Sequence, residues 1–550
     1  MKKNLTVWNL FSVVILAAFA LFIMYPIFLI LYRSVIHGDT GALTLQNFAH
    51  FFAKKFYWGT MVNSLKVTVV STILSAALGL PLAYLMRSVK IKGSSFLNIL
   101  IVISYLSPPF IGAYAWIQML GRQGVITQFL NDTFGLHYGG VYGFAGIVLV
   151  FTLQSFPLVY IYVSGALKNL DNSLNEAAES LGCSRMGRIW KIIVPLVMPT
   201  LLASSMLVFM RVFADFGTPM LIGEGYKTLP VLIYNQFMGE VSGDDGFAAA
   251  ICCIVIGLTI VMFFVQRFLA GRNTYAMTAL KPMAAESIGG LRNILAHLAV
   301  YMVVGLAILP QFVVVYTSFL ATNGGQVFTG GFALQSYDAT LFAKDNDVIW
   351  HTYFLGLCAI AAVLVLGVLI AYLSVRKRNT LNSILDVITM FPFIIPGSVL
   401  GIAFVFAFNK SPIILTGTAL IMIISFAVRR MPYTVRSSTA ILGNISPSIE
   451  EAAISLGASD MTTFRKITVP MMMPGVLSGA IMSWVTIISE LSSSIILYTN
   501  STQTLTVSIY TEVIRGNYGN ASAYATILTV TSILSLLLFY KVTGRRDVSV

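Results

Sequence analysis

The sequence predicts an all-α polytopic membrane protein of about twelve transmembrane helices arranged as two parallel six-helix repeats. Three observations lead there: a mean hydropathy of +0.85 over 550 residues, recurrent long apolar runs, and matched motifs in the two halves. Only 10% of the residues are charged, against about 25% in an ordinary soluble domain. Each apolar run is roughly 20 residues, enough to cross ~30 Å of hydrocarbon as a helix. Runs of that length suit helices rather than barrel strands, because in lipid a helix satisfies its own backbone.

Spans are expected near 10–32, 60–86, 96–120, 142–165, 196–218 and 247–266, and again near 294–320, 351–374, 384–408, 413–431, 471–497 and 523–540. The opening Lys2-Lys3 and the apolar stretch Leu10 to Tyr32 resemble a secretory signal. The stretch is too long for a signal core, contains Pro26 and lacks a small-x-small cleavage site, so it reads as a retained first span. Cys252, Cys253 and Cys358 fall inside spans and Cys183 in a loop, which gives no disulfide framework.

With both termini in the cytoplasm, the loops on that side collect 24 of the 34 basic residues, among them Arg87, Lys168, Arg188, Arg376, Lys377, Arg429, Arg430 and Arg436. The net charge of +13 therefore reflects topology under the positive-inside rule, and no nucleic-acid partner is expected.

The halves repeat. Leu78-Gly79 to Tyr84-Leu85 matches Leu366-Gly367 to Tyr372-Leu373 at an offset of 288, and Glu176-Ala177-Ala178 matches Glu451-Ala452-Ala453 at an offset of 275. Six spans per repeat is an even number, so both halves enter the membrane in the same sense. The expected organisation is a first half at 1–266, a cytoplasmic linker at 267–293 containing Gly271, Pro282, Gly289 and Gly290, and a second half at 294–550.

The loops 168–195 and 443–470 share one design. Ser173-x-x-Glu176 and Ser448-x-x-Glu451 read as capping boxes. Leu174, Ala177, Ala178 and Leu181, like Ile449, Ala452, Ala453 and Leu456, form one apolar stripe on each short helix. Gly182 and Gly457 stand where a helix-stopping glycine belongs. Such a stripe can pack on its own span ends or lie in the lipid interface, but its recurrence with the same start and stop favours a docking element.

These loops resemble the signature of the type I binding-protein-dependent permeases of ATP-binding-cassette importers: Glu-Ala-Ala, three residues, Gly, nine residues, Ile-x-Leu-Pro. The chain reads Glu176-Ala177-Ala178, Gly182, Ile192-Ile193-Val194-Pro195, and Glu451-Ala452-Ala453, Gly457, Ile467-Thr468-Val469-Pro470, with Val for Leu as the one departure. The resemblance covers essentially the whole chain. It implies that Glu176, Ala177, Ala178, Gly182, Glu451, Ala452, Ala453 and Gly457 couple the permease to two ATPase subunits, expected to be identical. It further implies an extracytoplasmic substrate-binding protein and a location in the bacterial inner membrane. No Walker A sequence occurs; Gly223-Glu224-Gly225-Tyr226-Lys227-Thr228 lacks the glycine before lysine. No hydrolase motif occurs either. The chain is thus expected to bind no cofactor and to be no enzyme, with ATP and Mg used by the partner ATPase.

Arg211 and Asp215 stand at i and i+4 of the expected fifth span, a spacing for an ion pair. At an offset of 275, Asp215 corresponds to Glu490 on the eleventh. Arg211, Asp215 and Glu490 are the candidates for the translocation path; the other reading is architectural, with Arg211 neutralising Asp215 and Ser492 and Ser493 serving Glu490. The fused form and Ala214-Asp215-Phe216-Gly217-Thr218-Pro219 most resemble ferric-iron permeases; related permeases handle thiamine, phosphonates and polyamines. An ion-coupled secondary transporter of twelve spans is the alternative class, but has no use for two matched docking loops. A membrane enzyme or receptor finds no catalytic constellation.

Overall fold

A computed structural model describes residues 7–37, 41–135, 137, 139–239, 245–270, 285–323, 327–342 and 347–543. Among them nine helices are long and apolar enough to cross a membrane unbroken: Val7–Ser34, Lys55–Ser88, Gly143–Lys168, Arg185–Ala214, Asp245–Val265, Gly290–Ser318, Val348–Arg376, Asp460–Ile488 and Tyr518–Phe539. Two more spans are bent. The third turns by 101° between Ser94–Tyr105 and Phe110–Phe134, and the ninth by 110° between Thr380–Ile394 and Gly397–Phe408. The tenth, Ala419–Asn444, carries Arg429, Arg430 and Arg436 and is correspondingly less apolar. With that helix counted, twelve candidate crossings lie among the described residues, but the third and ninth are not the continuous helices expected over 96–120 and 384–408.

Proline explains both bends. Ser107 before Pro108 and Ile395 before Pro396 are held in extended backbone, with ψ of 136° and 123°, because the proline ring disfavours the helical region for its predecessor. Proline also shapes the first, fifth and eleventh spans. Each contains a π-helical turn, at Ala20–Met24, Ile189–Ile193 and Phe464–Thr468, two residues before Pro26, Pro195 or Pro470. The proline supplies no N–H for the usual backbone bond, and the ladder widens ahead of it.

The second span packs on the fourth and the eighth on the tenth. Glycines bring these helices together. A Cβ on Gly79 would stand 2.7 Å from Val159 Cβ, and one on its repeat partner Gly367 would stand 2.9 Å from Thr434 Cγ2. Close small-residue contacts of this kind hold helices together in lipid, where apolar burial alone provides little drive.

The halves are not separate bodies. The first span packs on the eighth and ninth, and the seventh on the second, third and fourth. Accordingly Trp8, Ile15 and Phe19 share a buried core with Tyr372 and Phe464, while Ala296, Val300 and Val304 join that of Val67, Phe156 and Val163. Each half wears the other's first helix. Of the linker, Arg267 to Ala270 prolong the sixth helix, and Glu286 pairs in parallel with Val89 through Lys90 N–H to Glu286 O at 3.0 Å. Gly290 to Asn293 begin the seventh helix, capped by Gly289, and 271–284, with Gly271 and Pro282, lie outside the described residues, as do Lys2, Lys3, Arg545 and Arg546.

Gly79→Leu and Gly367→Leu should each force these crossings apart and destabilise by about 1–3 kcal/mol. Gly165→Leu, on the fourth span with nothing within 4 Å of its Cβ, should not. Thermal unfolding of the purified protein in detergent compares the three, and equal midpoints for all would show that the glycines do not set the crossing distance.

Candidate functional site

The two matched loops form short helices, Ser173–Ser180 and Ser448–Ser455. The capping boxes do not form. Ser173 and Ser448 are the first helical residues rather than caps. Asp171 Oδ1 instead accepts the Ser173 N–H at 2.9 Å, Ser446 Oγ accepts that of Ser448 at 3.4 Å, and Glu176 accepts from Asn172 Nδ2 at 2.9 Å. The stops do form, and identically. Gly182 at φ 77° donates to Glu179 O and Cys183 to Ala178 O, both at 2.9 Å; Gly457 at φ 91° donates to Ile454 O at 2.9 Å and Ala458 to Ala453 O at 3.1 Å. This is a left-handed stop with paired backbone bonds, a conformation open to glycine without steric cost. Ser184 and Ser459 then cap the following helices, each accepting a backbone N–H at 3.2 Å.

The expected stripe is split between two directions. Ala178 and Ala453 are each only 9% exposed and face their own chain, whereas Leu181 and Leu456 are 88% and 90% exposed. Leu174, Ala177, Ile449 and Ala452 are exposed with them, as are Glu176 and Glu451. The presented surface is therefore Leu174, Ala177 and Leu181, and Ile449, Ala452 and Leu456. The alanines that complete each motif hold the helix to the bundle.

The two loops are anchored differently. Arg376 donates to Glu450 Oε1 at 3.0 Å and to Ile445 O at 2.6 Å, and Thr468 Oγ1 donates to the same Glu450 oxygen at 3.0 Å. Trp8 of the exchanged first span rests on Tyr372 and Phe464 with ring centroids at 4.7 and 5.2 Å, and Lys377 bonds Asp460 at 3.0 Å beside it. The first loop has the exposed Arg188–Glu179 pair at 2.5 Å.

Deeper in the bundle, the intramembrane charges depart from the expected i, i+4 pair. The fifth helix ends at Ala214, so Asp215 is its C-cap with ψ of 130° and stands outside the helical register. Arg211 turns away and lies over the Tyr105 ring at 4.8 Å. Asp215 Oδ1 accepts the Thr218 N–H at 2.9 Å, starting the short helix Gly217–Ile222. Glu490 does the same in the second half: the helix ends at Ile488, and Glu490 Oε1 accepts the Ser493 N–H at 3.2 Å ahead of Ser494–Leu497. Each carboxylate caps the helix that follows a span break.

Their electrostatic settings differ. Asp215 lines a cavity of about 10 Å³ with Ser64, Thr68 and Thr228, inside its own half. Glu490 forms ion pairs with both Arg429 and Arg430, which places these arginines within the tenth helix rather than in a cytoplasmic loop. The expected span at 413–431 is in fact Ala419–Asn444, and its apolar run ends midway along the helix. Gly397 makes room for the cluster, because a Cβ there would collide with the Arg429 guanidinium and stand 2.7 Å from Ser492 Cβ. The breaks meet across the halves: a Cβ on Gly217 would stand 2.9 Å from Phe110 Cβ and 3.0 Å from Leu491 Cδ2.

A duplicated helical membrane protein with exchanged first spans, two like-built loops and broken spans meeting at its centre is the architecture of a transport permease. Residues 75–275 and 363–546 match the binding-protein-dependent transport system inner membrane component, once per half, and the chain belongs to that family. It is 30% identical to a ferric transport system permease protein of Actinobacillus pleuropneumoniae over 97% of this chain and 78% of that protein. A putative ferric transport system permease protein of Haemophilus influenzae is 30% identical over 90% of this chain and 78% of its own length. The molybdenum transport system permease protein of Escherichia coli K12 is 28% identical over 39% of this chain but 93% of that protein, so it matches about one half.

Glu490→Gln should leave Arg429 and Arg430 buried without a counter-charge and destabilise by about 3–5 kcal/mol. Asp215→Asn keeps an oxygen acceptor for Thr218 and should destabilise by less than about 2 kcal/mol. Adding Arg211→Met should not restore it, since Arg211 packs on Tyr105. Unfolding midpoints in detergent measure all three, and rescue by Arg211→Met would restore the Arg211–Asp215 pairing.

Proposed function

We propose that this chain is the membrane subunit of an ATP-driven importer of ferric iron, docking two identical ATPase subunits through its two loops. The observation that supports the reading is the matched pair of helices, each ended by the same glycine stop and each presenting one almost fully exposed leucine, Leu181 and Leu456. Leu174, Ala177 and Leu181, and Ile449, Ala452 and Leu456, are exposed together on their helices, and a grouped apolar surface of this kind marks an interaction site. ATP and Mg then belong to the partner, and cargo is delivered by an extracytoplasmic binding protein. The loops and both chain termini face the cytoplasm of a bacterial inner membrane. Ferric iron is favoured by the names of relatives aligned along nearly the whole chain.

The cargo path follows the seam between the halves, where Gly217 meets Leu491 and Phe110. ATPase movement reaches that seam through the fifth and eleventh helices, which begin directly after the loops and end at Ala214 and Ile488, just before Asp215 and Glu490. The second loop, locked by Arg376 and Glu450, transmits displacement more stiffly than the first.

Leu181→Glu and Leu456→Glu should each weaken ATPase capture at least about tenfold, as expected when a buried apolar anchor is replaced by a charge, without changing the unfolding midpoint of the isolated permease. Ala178→Glu and Ala453→Glu should lower that midpoint as well, because these side chains face inward. Co-purification with the tagged ATPase reads the first effect; undiminished capture by both leucine variants would dismiss the docking assignment. Native mass spectrometry should show one copy of this chain with two ATPase subunits, and two copies per ATPase pair would rule out the stoichiometry.

A further inference from the structure

The seam carries more positive charge than its carboxylates balance. Arg211 of the first half lies over the Tyr105 ring at 4.8 Å, and from the second half Arg430 acts electrostatically on the same phenol and Arg429 on Tyr433. Arg429 and Arg430 share the single carboxylate of Glu490. Among the described residues no carboxylate lies within ion-pair distance of Arg211, whose one close partner is the Tyr105 ring. Counting Asp215 as well, three cations face two anions.

One further feature bears on these arginines. The Nε–H groups of Arg429 and Arg430 are buried and have no hydrogen-bond partner, and an unpaired buried donor is costly to maintain. Guanidinium forks match the spacing of oxygen atoms on phosphate or carboxylate groups, and phenol O–H groups donate to the same oxygens. A bare multivalent cation brought here would instead meet net repulsion in a medium that screens poorly.

We propose that Arg211, Arg429 and Arg430, with Tyr105 and Tyr433, form a station for an oxyanion that accompanies the cargo and offsets its charge at the seam. The station stands on the arginines and phenols alone; the statement that the oxyanion travels with ferric iron rests on the function proposed above.

The first arm uses the full-length permease in nanodiscs, with phosphate, molybdate or citrate added against sodium chloride at equal ionic strength. At least one oxyanion should raise the unfolding midpoint of the wild type in a saturable way. Arg211→Gln should keep its midpoint in chloride while its affinity for that oxyanion falls roughly ten- to a hundredfold, the effect of losing charge-assisted hydrogen bonds. Arg211→Lys should recover part of the loss. No stabilisation by any of the three, or equal affinity in Arg211→Gln, overturns the station.

The second arm uses the complete transporter in proteoliposomes, with its binding protein loaded with radioactive iron and the oxyanion that bound in the first arm carrying a second label. Entry of both labels in a constant ratio, reduced for both in Arg211→Gln, supports joint passage. Iron entering without the second label overturns it. If no iron enters while oxyanion binding persists in the first arm, the iron reading has failed and joint passage with iron falls with it, but the station stands.

Discussion

In hydrocarbon a broken span can start again only where the chain itself accepts the backbone N–H groups that the new helix start exposes. Asp215 and Glu490 meet that requirement at equivalent places, each accepting the N–H three residues on and starting a new short helix beyond the break. The next apolar segments are fixed in the same manner: Leu229 N–H donates to Ser64 Oγ at 2.8 Å and Leu505 N–H to Thr352 Oγ1 at 2.7 Å. These bonds hold the broken ends of the spans against one another at the centre of the molecule. The contact of Gly217 with Leu491, the placement of the arginines and the course of the seam all follow from them.

Local patterns carried much of this into the sequence. The repeat, the glycine stops and the length of the apolar runs depend on neighbours within a few residues, and Gly182, Gly457 and the spans reflect that. The capping boxes failed by a residue or two, because Asp171 and Ser446 lie just upstream and accept the Ser173 and Ser448 N–H groups that Glu176 and Glu451 were expected to accept. The Arg211–Asp215 pair failed because a spacing argument presumes an unbroken helix, and this helix ends at Ala214. Arg429 and Arg430 were read as a loop because the apolar run stops there. Their partner, some 60 residues away, is what permits two charges in mid-helix. Pro396-Gly397 was a usable signal for the ninth-span break and for space beside an arginine.

The halves share a plan but not a chemistry. Position 154 is glutamine where the second half has Arg429, and position 175 is asparagine where it has Glu450. The second half therefore holds both the buried ion cluster and the clamp on its loop, while the first keeps a lone capping carboxylate and a loop tied by an exposed pair. Fusion into one chain allows such divergence, because neither half has to serve on both sides of the axis.

The exchanged first spans bear on how the molecule is made. Trp8 precedes its partners Tyr372, Phe464 and Asp460 by hundreds of positions, Asp460 by 452. Until the eighth, ninth and eleventh spans have been inserted, the first helix has only lipid against the face that will finally carry Trp8, Ile15 and Phe19. The seventh span finds its first-half neighbours already in place. The packing of the first helix on its partners therefore depends on spans far later in the chain, whereas that of the seventh span on the first half does not.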